Sequence, residues 1–204
     1  MARLSKKPSK YESSKSGHKK KILNDPEKFA NFKAVYILYL IIHEKYHSIP
    51  GDVPKDVWHD KMISALTAQP ILNLPKVKEI LYSGQISKKA EQVVRKKGGL
   101  TKARKGTGKD AITNEHYYPR KHVVRKILDR KKPLSFREFV ESWWTQMGVY
   151  NITTKEENSK LGAYIKDGLK KKKSFDPLNW KKAYKECGIE LIQDPRFRVL
   201  EEEE

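Results

Sequence analysis

The chain has 204 residues, of which 44 are Lys or Arg and 25 are Asp or Glu, a formal net charge of +19 at neutral pH. Charge on that scale repels itself and attracts polyanions, so nucleic acid is the expected partner, with counterion release from neutralised phosphates as the driving force. The single cysteine, Cys187, excludes an internal disulfide and a cysteine-rich zinc site.

Residues 1–21 hold eight basic residues and one Glu among Ser, Gly and Pro, the composition of a disordered basic arm, and the polar start gives no expectation of a secretory signal. Asp25 as N-cap, Pro26 at the first helical position and Glu27 in the first turn open a helix. Phe29, Phe32, Tyr36, Tyr39 and Ile42 or His43 recur along it, and Pro50, Gly51 and Pro54 end it. Its longest apolar run, Ala34–Ile42, is too short to span a bilayer and lacks the divided faces of a membrane-surface helix. Further helices are expected over 55–68, 75–83 and 86–97, making 22–97 a helical DNA-binding region with no clear helix-turn-helix.

Residues 95–109 carry seven basic residues, four glycines and no acid, and read as a cationic loop able to follow a phosphate backbone through Lys102, Arg104 and Lys105. A short strand is expected over 111–117. Ser135 and Glu138 then form a capping box for a helix that buries Phe136, Phe139, Val140, Trp143 and Met147 and stops at Gly148. A second strand follows at 149–153. Thr154 and Glu157 make another capping box for a helix through Leu161, Tyr164, Ile165 and Leu169, ending near residue 172.

This strand, connection, strand, helix order frames Glu115 and His116 at the end of the first strand, Asn158 at the strand-to-helix junction, and Asp167 nine residues later. Here the chain resembles the HNH endonucleases of the His-Me finger, or ββα-metal, group, in phage or homing style. Pro119 matches a common proline after the first motif, and Lys170 a common basic residue after the last. The resemblance runs over 111–172. It implies a metal-dependent DNA endonuclease, site-specific in the homing or restriction manner. His116 would be the general base that takes a proton from water, and Asn158 would orient the His-bearing loop. Glu115 and Asp167 would hold one Mg²⁺ or Mn²⁺ through oxygen, and Arg120, Lys121 and Lys170 would contact DNA phosphates. Double-strand cutting from one site per chain would call for a homodimer.

Two other readings compete. His43-Glu44-Lys45-Tyr46-His47 fits H-E-x-x-H, the zinc-ligand spacing of metalloproteases, although Pro50 and Val53 stand where an extended motif has Gly and a third His. The chain could also be a basic nucleic-acid-binding protein without catalysis. The expected fold is α+β and mostly helical: a helical region at 22–97, a ββα-metal nuclease core at 98–173 whose hairpin pairs 112–117 with 149–153, and an extension at 174–204. Trp143, Trp144, Tyr164, Ile165 and Leu169 are expected in the core beneath the site. Double-stranded DNA is the expected partner, no membrane is involved, and a cytoplasmic, nucleoid-associated location in a bacterial or phage-infected cell follows.

Overall fold

The structure, a computed structural model, describes residues 23–48, 81–171 and 174–196. The expected arm at 1–21, the helix at 55–68 and most of that at 75–83 lie outside these residues.

Helix α1 (Pro26–Ser48) starts as its sequence dictates: Asp25 Oδ1 accepts from Lys28 N at 3.1 Å, and Asp25 O from Phe29 N at 2.8 Å. Phe32, Val35, Tyr39, Ile42 and Tyr46 form its buried stripe. Next come β1 (Tyr82–Ser87), α2 (Lys88–Lys96), α3 (Leu100–Arg104), β2 (Ile112–His116) and α4 (Arg120–Leu128). α5 (Phe136–Ser142) passes into a π-helical turn at Trp143–Met147, and β3 (Tyr150–Thr154), α6 (Lys155–Lys171), α7 (Trp180–Glu186) and β4 (Leu191–Gln193) complete the order.

The chain is mostly helical around one four-stranded mixed sheet of order β2-β3-β1-β4. β2 runs antiparallel to β3 in the expected pairing, from Ile112 opposite Thr154 to His116 opposite Tyr150. Two strands were not expected. β1, assigned from sequence partly to a helix, runs parallel to β3, and β4, placed in a C-terminal extension, runs antiparallel to β1. The sheet therefore draws on residues either side of the core boundaries expected at 97/98 and 173/174. β1 hides from a pattern reading because between the rungs Tyr82–Tyr150 and Ile86–Ile152 it advances four residues while β3 advances two. Gly84 takes φ 81° within that irregularity, where a residue with a Cβ is strained. Part of the expected loop at 95–109 is the short helix α3.

The larger core lies between the sheet and α1, α4 and α5. Tyr39 stacks on Phe139 at 5.2 Å, and Phe32 meets both Trp143 and Trp144, at 5.7 and 5.6 Å. The expected single α-helix through Met147 changes to π-helix at Trp143, and the wider turn lets two consecutive indoles reach the one Phe32 ring. Gly148 follows because a Cβ there would stand 2.8 Å from Leu81 Cδ2 and 2.9 Å from Trp143 O. A smaller cluster of Leu161, Ala183, Tyr184 and Ile189 covers the other face of the sheet. Leu169 belongs to neither: it is 47% exposed, beyond the stretch where α6 meets the sheet, and the expectation that it lies in the core is corrected. Among the described residues no helix is long and apolar enough to cross a membrane.

Both capping boxes form. Ser135 Oγ accepts from Glu138 N, and Glu138 Oε2 accepts from Ser135 N at 2.8 Å. Thr154 Oγ1 accepts from Glu157 N at 3.2 Å, and Glu157 Oε2 accepts from Thr154 N at 2.9 Å. Glu157 Oε2 also accepts from Ser87 Oγ at 2.6 Å, and that serine caps α2 by accepting from Ala90 N. Replacing this buried carboxylate leaves several donors orphaned at once. Glu157→Ala should lower unfolding free energy by about 3 kcal/mol or more, whereas Glu157→Gln, which keeps an acceptor, loses distinctly less. Denaturant unfolding of the two variants checks this, and equal losses would show that the acceptor is not what matters.

Candidate functional site

Successive residues of a strand point to opposite faces, so Glu115 and His116 serve different sides of the sheet. His116, opposite Tyr150, faces the larger core, its ring centroid 6.3 Å from that of Tyr150. Its Nδ1 is 3.1 Å from the Val149 carbonyl oxygen. A carbonyl only accepts, so Nδ1 carries the proton, and Nε2 is left with its lone pair and no hydrogen bond to the described residues. Burial first, and then the neighbouring Arg120 charge, push the imidazole down to about 4, against the partial support of the Val149 bond. At neutral pH His116 is an uncharged base.

Tyr117, Tyr118 and Pro119 turn the chain into α4. Pro119 provides no side-chain cap, and the first turn holds Arg120, Lys121 and His122 with no acid. Cations at a helix N-terminus oppose the macrodipole, so this arrangement does not serve the helix. Arg120 lies on the inward stripe with Val123, Val124 and Ile127, which explains its partial burial. Its Nε is buried with no hydrogen-bond partner among the described residues, and burial alone draws its guanidinium down from the ordinary value. A half-buried guanidinium with no carboxylate partner among the described residues, beside a neutral imidazole with an unused lone pair, is a corner suited to an anion that also carries a proton donor.

Glu115 faces the other way, opposite Asn151. Asn151 Oδ1 accepts from Ser83 Oγ at 2.6 Å, and its Nδ2 donates to Tyr184 Oη at 3.0 Å. Tyr117 Oη donates to Gln85 Oε1, and the Tyr117 and Trp180 rings lie 4.4 Å apart. Burial among these groups, with no cation beside it, pushes the Glu115 carboxyl up to about 8. Ser83, Gln85, Asn151 and Tyr184 were not singled out from sequence; the register of strands β1, β2 and β3 and the packing of α7 on that face bring them together.

The remaining expected residues are spread out. Asn158 is half-buried in the first turn of α6, while Asp167 is exposed. The helix is regular from Lys155, so nine residues place them about 14 Å apart along the axis and half a turn round it. The oxygen donors implied for Mg²⁺ or Mn²⁺, Glu115 and Asp167, thus do not converge on His116, and among the described residues no group of three or more His, Cys, Asp or Glu could hold a metal ion. The donors present do not fit that ion. Lys102, Lys105, Lys121 and Lys170 are exposed, and Arg104 Nη2 donates to Asn114 Oδ1 at 3.2 Å. The H-E-x-x-H pair does other work: His43 Nε2 donates to Arg130 O at 2.8 Å and His47 Nε2 to Leu128 O at 2.9 Å. Both therefore present N–H groups, not lone pairs, to the carbonyls at the end of α4, and Tyr46 Oη adds a bond to Asp129.

The two faces predict opposite pH effects. Glu115, raised in the folded state, contributes stability that is present below its unfolded value of 4.5 and lost as pH rises through about 8. His116, depressed from 6.5, contributes stability present above that value and lost as pH falls through about 4. Glu115→Gln should flatten the alkaline limb alone and raise Tm at pH 8 by several degrees, given roughly 2–4 °C per kcal/mol in a chain of this size. A variant that melts like the wild type from pH 5 to 8 would show that Glu115 is ionised in the fold. Comparison with protein-family models, with curated proteins and with solved structures gives no match, so the reading of this site rests on the chain's own residues.

Proposed function

We propose that the chain is a DNA endonuclease that hydrolyses phosphodiester bonds, with His116 as general base and Arg120 holding the scissile phosphate. One observation carries the reading: the half-buried Arg120, whose Nε is buried without a hydrogen-bond partner among the described residues, stands beside an imidazole whose tautomer is set by Val149 and whose Nε2 bonds to none of those residues. The net charge of +19 supplies the attraction for the polyanion.

In this reading water attacks phosphorus while its proton passes to His116 Nε2. The P–O3′ bond breaks, leaving a 5′-phosphate and a 3′-oxygen that takes a proton from solvent. Arg120 offsets the negative charge that gathers on the phosphoryl oxygens. An imidazole near 4 is a weak base, but a bound phosphate offsets the Arg120 charge that helps to depress it, so substrate raises the basicity of its own catalyst. No step is assigned to a metal ion, because the expected donors do not converge.

A second reading, a DNA-binding protein without catalysis, is favoured by the separation of Glu115, Asn158 and Asp167. Plasmid nicking with Mg²⁺, with Mn²⁺ and with a chelator separates the two. His116→Ala should slow nicking by about 100-fold or more while duplex affinity stays near that of the wild type, since a general base acts in the transition state. Arg120→Ala should slow it as well, and Arg120→Lys should restore part of the rate, a point charge replacing a fork. Wild-type nicking by His116→Ala would rule out the assignment; a wild type that binds DNA and never cuts it would leave the second reading.

A further inference from the structure

α4 has two faces, and only one belongs to the His116 corner. Val123, Val124, Ile127 and Leu128 are buried, which turns Lys121, His122, Arg125 and Lys126 outward on a helix containing no acid. Facing this side are Leu169, near the end of α6, and the segment Asp176–Leu178. Between them lies an open groove of about 440 Å³ with His122, Arg125, Lys126 and Arg130 on one wall and Leu169 and Pro177 on the other.

The acids at its rim are engaged in holding the chain. Asp129 accepts from Tyr46 Oη, and Asp176 Oδ1 accepts from Leu178 N at 2.9 Å. The groove is electropositive enough that, after burial, the Lys121 and Arg125 charges depress the His122 imidazole. Leu169 is the apolar residue of α6 that the core leaves 47% exposed. A wall of cations facing a strip of apolar surface suits a polymer that alternates anionic and less polar groups.

We infer that this groove binds the sugar–phosphate backbone of DNA, with phosphates along Arg125, Lys126 and Arg130 and deoxyribose against Leu169 and Pro177. Arg120 points inward from the same helix, so the groove takes other phosphates than the one at His116. The inference rests on the DNA-binding half of the proposed function and not on cleavage.

The test is fluorescence anisotropy of a labelled DNA duplex with the full chain over a salt series. Arg125→Gln, Lys126→Gln and Arg130→Gln combined should weaken binding at least tenfold and reduce the slope of log K against log salt by about 2–3, at roughly 0.9 per phosphate contact. A control with Lys33→Gln, Lys45→Gln and Lys96→Gln, exposed charges away from the groove walls, should lose much less. Leu169→Glu, which removes no cation, should also weaken binding, and thermal melts verify that each variant is folded. A groove triple that matches the control or the wild type overturns the inference while leaving the His116 reading in place. A wild type that binds duplex without cutting it removes the enzyme and leaves the groove, and a wild type that does not bind duplex overturns both.

Discussion

Strands β1 and β3 run parallel and each passes directly into a helix, so the N-termini of α2 and α6 emerge together at one end of the sheet. Helix starts carry N–H groups with no partner inside the helix, and two starts side by side concentrate that need. Glu157 meets it. Its one oxygen accepts from Thr154 N, Thr154 Oγ1 and Ser87 Oγ, and Ser87 accepts in turn from Ala90 N. The other leading N–H groups of α6 are taken by the chain that leads into β2, Lys155 N by Ala111 O at 2.8 Å and Glu156 N by Lys109 O at 3.0 Å. One buried carboxylate, placed where two helix dipoles favour negative charge, ties β1, β3 and both helices.

The placement of the candidate site follows from that joint. With β3 fixed, the pairing from Ile112–Thr154 to His116–Tyr150 sets which face each β2 side chain takes, and Val149 just before β3 comes within reach of His116. α4 is then held at its far end by α1, through His43, Tyr46 and His47 at the carbonyls and carboxylate of residues 128–130. Its near end follows the turn out of β2. Arg120 is therefore fixed by two separate packings, and among the described residues neither supplies its buried Nε with a partner.

What was legible from sequence was local chemistry with a short reach. Asp25, Ser135 and Thr154 announced their helices because a cap and its partner lie within three residues, and the strands at 112–116 and 150–154 stood out between turn residues. β1 did not, because Gly84 breaks its alternation and its partners lie more than sixty residues away; β4, at three residues, has no period to read. The π turn depends on two indoles finding one phenyl ring across the core. The site was half legible. His116 and Arg120 were singled out, but strand alternation already separates Glu115 from His116, and the nine-residue interval already puts Asp167 across α6 from Asn158. The burial of Arg120 was also within reach, since it shares the three- and four-residue spacing of Val123, Val124 and Ile127.

His116 holds its proton on Nδ1, bonded to Val149, and keeps Nε2 bare beside Arg120, whose Nε has no partner among the described residues. Long-range ¹H–¹⁵N NMR of the imidazole at pH 7 reads this directly. The free protein should show the Nδ1–H tautomer, with the Nε2 resonance moving when a DNA duplex is added while the Nδ1 signal keeps its bonded position. An Nε2–H tautomer, or an Nε2 resonance that DNA leaves unmoved, would contradict it.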